Sequence, residues 1–303
     1  NQSSVSEFLL LGLPIRPEQQ AVFFALFLGM YLTTVLGNLL IMLLIQLDSH
    51  LHTPMYFFLS HLALTDISFS SVTVPKMLMN MQTQHLAVFY KGCISQTYFF
   101  IFFADLDSFL ITSMAYDRYV AICNPLQYSV IMGKKACIQL VSGSWNIGLS
   151  TAIIQVSSVF SLPFCDANLI SHFFCDIRPI MKLACADTTI KEFITLLISL
   201  CVLVLPMVLI FISYVLIVTT ILKIASAEGR RKAFATCASH LTVVIVHYGR
   251  TSFIYLKPKS QNSLQDRLIS VTYTVITPLL NPVVYSLRNK EVKDALLRAL
   301  GRK

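Results

Sequence analysis

Long apolar stretches alternate with short polar connections along almost the whole chain. Seven of the stretches can span a membrane as helices, because a spanning helix needs about 20 mostly apolar residues. They fall at 22–46, 55–79, 93–122, 138–160, 193–222, 233–256 and 267–287. The connections are short except for 161–192, and no linker or tandem repeat divides the chain. The pattern predicts an all-α membrane protein whose seven transmembrane helices form one bundle.

The composition indicates that lipid is the main solvent of this chain. Hydrophobic residues make up 55% of the 303 residues and charged residues 13%, whereas soluble domains carry about 25% charged residues. These values exclude a disordered chain, a collagen-like chain and an ordinary soluble enzyme. The net charge of +8 points to membrane topology rather than to nucleic acid as a partner, because basic residues concentrate in cytoplasmic loops.

The distribution of charge predicts an orientation. With the N-terminus outside, the inner side holds 13 basic and five acidic residues, and the outer side holds nine basic and seven acidic residues. This bias predicts a multi-pass protein of the plasma membrane with an extracellular N-terminus and a cytoplasmic C-terminus. The first apolar stretch lacks a basic region before it, which favours a signal-anchor helix over a cleaved signal peptide.

Three segments follow from that topology. Residues 1–21 form an extracellular tail, 22–287 the seven-helix domain, and 288–303 the cytoplasmic end. Asn1 begins an N-glycosylation sequon in the outer tail. In the cytoplasmic end, apolar residues recur on one helical face among basic residues, which predicts a short amphipathic cytoplasmic helix, helix 8, on the inner leaflet; they are Val292, Leu296, Leu297 and Leu300.

Four cysteines fall on the predicted outer side, and they are Cys93, Cys165, Cys175 and Cys185. The outer compartment is oxidising, so four cysteines fit two disulfides. Four cysteines allow three pairings, and spacing alone does not choose between them. A metal site is the alternative, and it is disfavoured where thiols oxidise; its ligands would be His172, Cys175, Asp176 and Cys185.

Five long sequence runs, in order, resemble the olfactory receptors within the rhodopsin-like (class A) G-protein-coupled receptors. The runs are LHTPMYFFLSHLALTD (51–66), MAYDRYVAICNPLQY (114–128), SY (213–214), KAFATCASHLTVV (232–244) and PLLNPVVYSLRNKEVKDAL (278–296). The resemblance extends nearly end to end and is to the tetrapod type, class II. It implies the disulfides Cys93–Cys175 and Cys165–Cys185.

The resemblance also implies an activation switch near the inner surface. Its residues are Asp117, Arg118, Tyr119, Tyr214, His240, Asn281, Pro282 and Tyr285. Asp117 would hold Arg118 at rest, because a guanidinium facing a bundle interior needs acceptors, and a G protein would accept Arg118 when the bundle opens. His240 would contact the third span and lock the inactive bundle.

Two acids inside the membrane, Asp66 and Asp107, are placed near the bundle centre by the same resemblance, with Asn38 and Asn281 nearby. Two carboxylates in a medium of low dielectric constant do not both stay charged without a cation or a proton. A bound sodium ion and a shared proton both satisfy this requirement. No other cofactor is expected.

The resemblance implies a pocket for a small odorant between helices 3, 5, 6 and 7. On the third span the pocket-lining positions recur at helical spacing, and they are Phe100, Ile101, Ala104, Asp105 and Ser108. The other spans contribute Ile198, Val202, Tyr248, Thr251, Ser252, Tyr255, Val271 and Thr274. A mostly apolar lining with a few hydroxyl groups suits a small, volatile, largely apolar ligand.

Two charges near this pocket depart from the usual pattern. Asp105 lies two residues from Asp107, so the two acids point to nearly opposite sides of their helix and belong to different sites. Arg250 needs a partner at membrane depth. It pairs with Asp105, meets an anionic ligand, or extends to the outer interface, and we favour the pair.

The function implied is odorant recognition and sensory transduction through a stimulatory G protein of the olfactory type, which raises cAMP. The receptor itself would not be an enzyme. The alternative is a related receptor for an endogenous small metabolite outside olfactory tissue. A retinal pump needs a lysine in the seventh span, and residues 268–287 contain none. The sequence leaves the ligand and its chemical class open.

Overall fold

A computed structural model of the chain describes residues 6–83, 86–165, 168–256, 267 and 270–301. The described side chains exclude those of 236, 239, 250–256, 272, 273, 285–288 and 290. Six long helices follow one another, and they are α1 (Gln20–Leu47), α2 (Pro54–Thr83), α3 (Tyr90–Cys123), α4 (Lys134–Phe160), α5 (Thr189–Leu222) and α6 (Ala227–Leu256). A π-helical segment, Thr272–Ile276, then leads into α7 (Thr277–Arg288) and α8 (Lys290–Ala299).

Shorter helical segments occupy the connections. They are the 3₁₀ turns Pro17–Gln19, Ser49–Leu51 and Pro125–Gln127 and the short helices Tyr128–Ile131 and Ile177–Met181. Of the described residues, five stretches are by themselves long and apolar enough to cross a membrane, and they are Pro17–Leu47, Pro54–Thr83, Tyr90–Cys123, Lys134–Phe160 and Thr189–Leu222. Shorter apolar helical runs, His240–Gly249 and Thr274–Val284, lie in the sixth and seventh helical regions. The fold class predicted from the sequence, a seven-helix bundle followed by a short amphipathic helix, is confirmed.

The third helix forms the centre of the bundle. It packs against α2, α4, α5 and α6, and its side chains Leu106, Leu110 and Ile111 are fully buried. In contrast, α5 exposes large apolar side chains such as Phe211, which is typical of a helix that faces lipid. The bundle therefore buries its core around α3.

A small sheet caps the end of the bundle where α1 begins. Its strands are β1 (Glu7–Leu10), β2 (Ala87–Phe89) and β3 (Leu169–Ile170), with β1 in the middle. The first strand runs antiparallel to β2 and parallel to β3. Phe8 is fully buried in the cap, so the strand Glu7–Leu10 is part of the packed structure.

Two disulfides hold the long 161–188 connection to the bundle. Cys93 at the start of α3 is bonded to Cys175, and Cys165 is bonded to Cys185. This is the pairing that the family resemblance implies. It also removes the thiolates that the alternative metal site at His172, Cys175, Asp176 and Cys185 would need, so that alternative is wrong.

Candidate functional site

The end of α3 opposite the cap carries a buried ion pair. Asp117 is fully buried, and its carboxylate accepts hydrogen bonds from the Arg118 guanidinium, with Nε at 3.0 Å. The Tyr128 hydroxyl donates to the other oxygen of Asp117 at 2.7 Å. Burial and the neighbouring carboxylate raise the pKa of Tyr128, so this group donates throughout the physiological range. Asp117 thus holds Arg118 from one side and the following loop from the other.

A second contact joins α3, α5 and α6 at a similar depth. His240 is fully buried, and its Nε2 lies 3.1 Å from the backbone carbonyl oxygen of Ile111 on α3. Its Nδ1 lies 2.7 Å from the hydroxyl of Tyr214 on α5. Since one imidazole bridges two neighbouring helices, α6 does not swing away from α3 without breaking these hydrogen bonds. Tyr119 is half-buried and packs, like Tyr214, against the apolar cluster that contains Ile217 and Ile221.

Asp66 and Asn281 connect α2 with α7. The Asn281 amide donates to both carboxylate oxygens of Asp66, at 3.0 and 2.9 Å. Asn38 is buried and donates to the carbonyl of Thr34 within its own helix. Asp107 is also buried. Oxygen-rich groups of this kind are the ligands that a hard cation such as sodium prefers, and the binding of one ion by Asp66 and Asp107 together stays a prediction.

Proline and tyrosine of the seventh helix complete the set of switch residues. Pro282 is buried inside α7, and a Cβ built on Gly37 of α1 would lie 3.1 Å from its Cβ. The absence of a side chain at Gly37 therefore allows α1 and α7 to approach closely. The side chain of Tyr285 lies outside the described residues.

The predicted pocket face of α3 divides into an aromatic end and a polar end. The Phe100 ring packs 5.0 Å from Phe69 and 4.8 Å from Phe174, centroid to centroid. Ile101 and Ala104 are half-buried along the next turn. The aromatic end therefore lies under the long loop that carries the disulfides.

Ser108 occupies the polar end, where α3 meets α6. Its hydroxyl lies 3.0 Å from Nε2 of His247, and its carbonyl accepts from the Tyr248 hydroxyl at 3.3 Å. His247 and Tyr248 are both buried. Tyr248 is among the pocket residues predicted from the sequence and His247 is not, although His247 lies two turns after His240 and hence on the same helical face.

Asp105 lies on a different side of α3. Its carboxylate accepts from the Thr151 hydroxyl of α4 at 2.5 Å, and the residue is 9% exposed. The structure thus gives Asp105 a partner on α4. The side chains of Arg250, Thr251, Ser252 and Tyr255 lie outside the described residues, so the pairing of Asp105 with Arg250 stays a prediction.

The remaining predicted pocket residues lie on α5 and near α7. Ile198 and Val202 are half-buried on α5. Val271 packs in the apolar cluster that contains Phe174, and Thr274 is fully buried and donates to the Ser270 carbonyl. These positions are compatible with a lining, and their contact with a ligand stays a prediction.

The cap closes over this region through polar contacts. Nε2 of His172 lies 2.8 Å from the Ser270 hydroxyl, and Arg267 donates to the carbonyl of Gly12 at 2.8 Å. Burial, together with the positive charge of Arg267, lowers the pKa of His172 to about 3. Burial raises the pKa of Asp176 in the same loop. Asn1, the candidate glycosylation site, lies outside the described residues.

A surface network fixes α8 at the opposite end of the bundle. Arg298 donates to Asp48 with Nε at 2.8 Å, and the Tyr56 hydroxyl donates to Glu291 at 2.5 Å. Bonding to Arg298 and His50 lowers the pKa of Asp48 to about 2. Among the described residues, no group of three or more His, Cys, Asp and Glu side chains is placed to hold a metal ion.

The seven-helix bundle has an Asp-Arg-Tyr motif at the end of its third helix, two disulfides at the capped end and an Asn-Pro pair in its seventh helix. Together these features define a rhodopsin-like receptor. The sequence model of the olfactory receptor family matches residues 27–303. The chain therefore belongs to the olfactory receptor family, a family of membrane receptors that are not enzymes.

Individual members of the family resemble the chain over its full length. Human olfactory receptor 10J4 is 74% identical over 100% of this chain and 98% of its own length. Human olfactory receptor 1J1 is 65% identical, covering 100% of this chain and 94% of its own length. Mouse olfactory receptor 1J1 is 56% identical, with coverages of 100% and 97%. The chain is a multi-pass membrane protein with an odorant-receptor role.

Proposed function

We propose that a small odorant binds among α3, α5, α6 and α7 and shifts the bundle toward a state that activates a stimulatory G protein of the olfactory type. The N-terminus is extracellular and the C-terminus cytoplasmic, so the Asp117–Arg118 end faces the G protein. Cellular cAMP rises as a result. This orientation is supported by the excess of basic residues at that end.

One observation carries the proposal: two histidines tie α6 to α3 at successive levels. His247 bonds Ser108 beside the candidate pocket, and His240 bonds the Ile111 carbonyl nearer the G-protein end. A ligand that rearranges the Ser108 contact changes the relative stability of the closed bundle, because it interacts differently with the two states. Opening at the His240 level then frees Arg118 for the G protein.

The acids Asp66 and Asp107 set the resting state in this proposal. A sodium ion held by their oxygens would stabilise the closed bundle, and a shared proton would do the same. Ligand potency measured with sodium chloride against choline chloride separates the two. A potency that rises when sodium is replaced supports the ion, and an unchanged potency supports the proton.

The principal test measures cAMP in cells expressing this chain, against a panel of amines, carboxylic acids and neutral volatiles. A dose-dependent rise is expected for at least one ligand. Arg118→Ala should abolish it at equal surface staining, whereas Lys134→Ala, which removes an exposed base from the same end, should retain it. A response that persists in Arg118→Ala would refute the role given to this residue.

The competing assignment is a receptor for an endogenous metabolite outside olfactory tissue. The same bundle and switch would serve both functions, so transcript location separates them. Expression confined to olfactory neurons supports the odorant. A response to extracts of a non-olfactory tissue that expresses the chain, with silence across the volatile panel, supports the metabolite.

A further inference from the structure

A groove runs between α1, α7 and α8 on the outside of the bundle. It has a volume of about 160 Å³ and is lined by five residues of α1, two of α7 and three of α8. Two of its lining residues, Gly37 and Pro282, lie where α1 and α7 approach closely. The groove lies away from α3, α5 and α6, so it is separate from the candidate odorant pocket.

The length of the groove matches one leaflet of a membrane. Its α1 lining extends from Thr33 to Leu44, which corresponds to roughly 16 Å at about 1.5 Å per residue. One leaflet contributes roughly half of the hydrocarbon core of about 30 Å. An apolar cavity of about 150 Å³ holds a molecule such as benzene, so this groove takes several carbons of a hydrocarbon chain.

The chemistry of the lining changes at the end formed by α8. Most of the groove is lined by aliphatic side chains such as Leu40 and Leu44, whereas Lys293 lies at the α8 end. Lys293 is exposed, and the ion pairs within the described residues do not include it. Arg298, which follows Lys293 by more than one turn of α8, is instead paired with Asp48.

We propose that this groove binds an anionic phospholipid of the leaflet next to α8. One acyl chain lies against Leu40 and Leu44, and the headgroup phosphate or carboxylate pairs with the Lys293 ammonium. An apolar groove ending in an unpaired ammonium complements a lipid with an apolar chain and an anionic head. A sterol complements the aliphatic lining but leaves the ammonium without a partner.

Lipid binding is tested with the purified full chain in detergent, by native mass spectrometry during titration with phosphatidylserine or phosphatidylcholine of identical acyl chains. One basic residue near an anionic surface contributes about 1 kcal/mol, which corresponds to roughly a fivefold preference. The first lipid bound should therefore be phosphatidylserine by about that factor. Lys293→Gln should remove the preference, Lys293→Arg should retain it, and Lys223→Gln should leave it unchanged.

The position of the acyl chain is tested by filling the groove. Leu40→Trp should weaken the binding of both lipids, and the milder Leu40→Phe should do so to a smaller extent. Leu43→Trp introduces the same ring at an exposed α1 position outside the groove and should not. Circular dichroism confirms that each variant is folded.

Three results would overturn the inference. The first is an unchanged preference for phosphatidylserine in Lys293→Gln. The second is equal binding by the Leu40→Trp and Leu43→Trp variants. The third is displacement of the phospholipid by cholesterol with no dependence on Lys293. None of these readouts requires an odorant or a G protein, so the test is independent of the proposed function.

Discussion

The buried histidine of the cap predicts a pH dependence of stability. His172 is 4% exposed, bonds Ser270 through Nε2 and stacks on Phe173 with ring centroids 4.8 Å apart. Burial, then the charge of Arg267, lowers its pKa from 6.5 to about 3. The folded cap therefore holds a neutral imidazole at every pH above about 3.

The sign of the effect follows from proton binding. Between pH 6.5 and 3 the unfolded cap binds a proton at His172 and the folded cap does not, so the free energy of unfolding falls as the pH falls through this window. Where the unfolded state binds one full proton more than the folded state, each pH unit changes the free energy of unfolding by about 1.4 kcal/mol. Lowering the pH from 7.5 to 5.5 should therefore lower the free energy of unfolding by about 1.4 kcal/mol through His172 alone.

The assay is thermal unfolding of the purified receptor in one detergent at pH 7.5 and 5.5. His172→Gln retains a polar group that can bond Ser270 and does not titrate, so its Tm should fall less than that of the wild type by a few degrees. His52→Gln, a change at an exposed histidine, should keep the wild-type pH dependence. Asp176, whose burial-raised pKa acts in the opposite direction, is common to all three proteins and cancels in the comparison. Equal falls in Tm for wild type and His172→Gln would refute the reasoning.

Three further predictions, made with five substitutions, test the helix contacts through cAMP and surface staining. Tyr128→Phe removes a hydrogen bond to a buried carboxylate, worth about 2 kcal/mol, and should raise basal cAMP; unchanged basal activity would contradict a restraining role. Ser108→Ala and His247→Phe should each shift basal activity, and the double variant should match either single one if they act through one shared bond. Asp105→Asn and Thr151→Val should have the same effect on ligand potency, because each removes one side of the same hydrogen bond. A loss of potency that is confined to Asp105→Asn and to amine ligands would place the Asp105 carboxylate in the pocket instead.

The helices could be predicted from the sequence because their signal is local. Five of the described helices are long and apolar enough to span a membrane by themselves, and the polar connections between the apolar stretches mark their ends. The amphipathic pattern of the last helix is equally local; of its predicted apolar face, Val292 is buried, whereas Leu297 and Leu300 are exposed on the protein surface. The resemblance then supplied the disulfide partners, which the spacing of Cys93, Cys165, Cys175 and Cys185 left open.

The cap could not be predicted in the same way. Its strands have four, three and two residues, too few for an alternating pattern to appear. They come from segments about 80 residues apart, and the pairing of Leu9 with Leu169 depends on loops that the helices and disulfides position first. Short strands of this kind are stabilised by tertiary packing, here around Phe8, rather than by their own propensity.

The partners of polar residues were the hardest feature to predict, and Asp105 shows why. Helical spacing separates Asp105 from Asp107 by about 200°, which assigns them to different sides of α3 but does not say what lies on each side. Arg250 is the cation that charge alone suggests for Asp105, whereas packing brings the Thr151 hydroxyl of α4 within 2.5 Å.

This difference bears on the ligand. Among the described side chains of the proposed pocket, Asp105 turns toward α4, and the polar groups where α3 meets α6 are Ser108, His247 and Tyr248. A serine hydroxyl, a tyrosine hydroxyl and a buried imidazole exchange hydrogen bonds with alcohols, ketones and esters without desolvating a full charge, which is the costly step for an ammonium or carboxylate ligand. The described part of the proposed pocket therefore favours neutral oxygenated odorants, and Ser108 and His247, which would bind them, also form one of the hydrogen bonds that join α3 to α6.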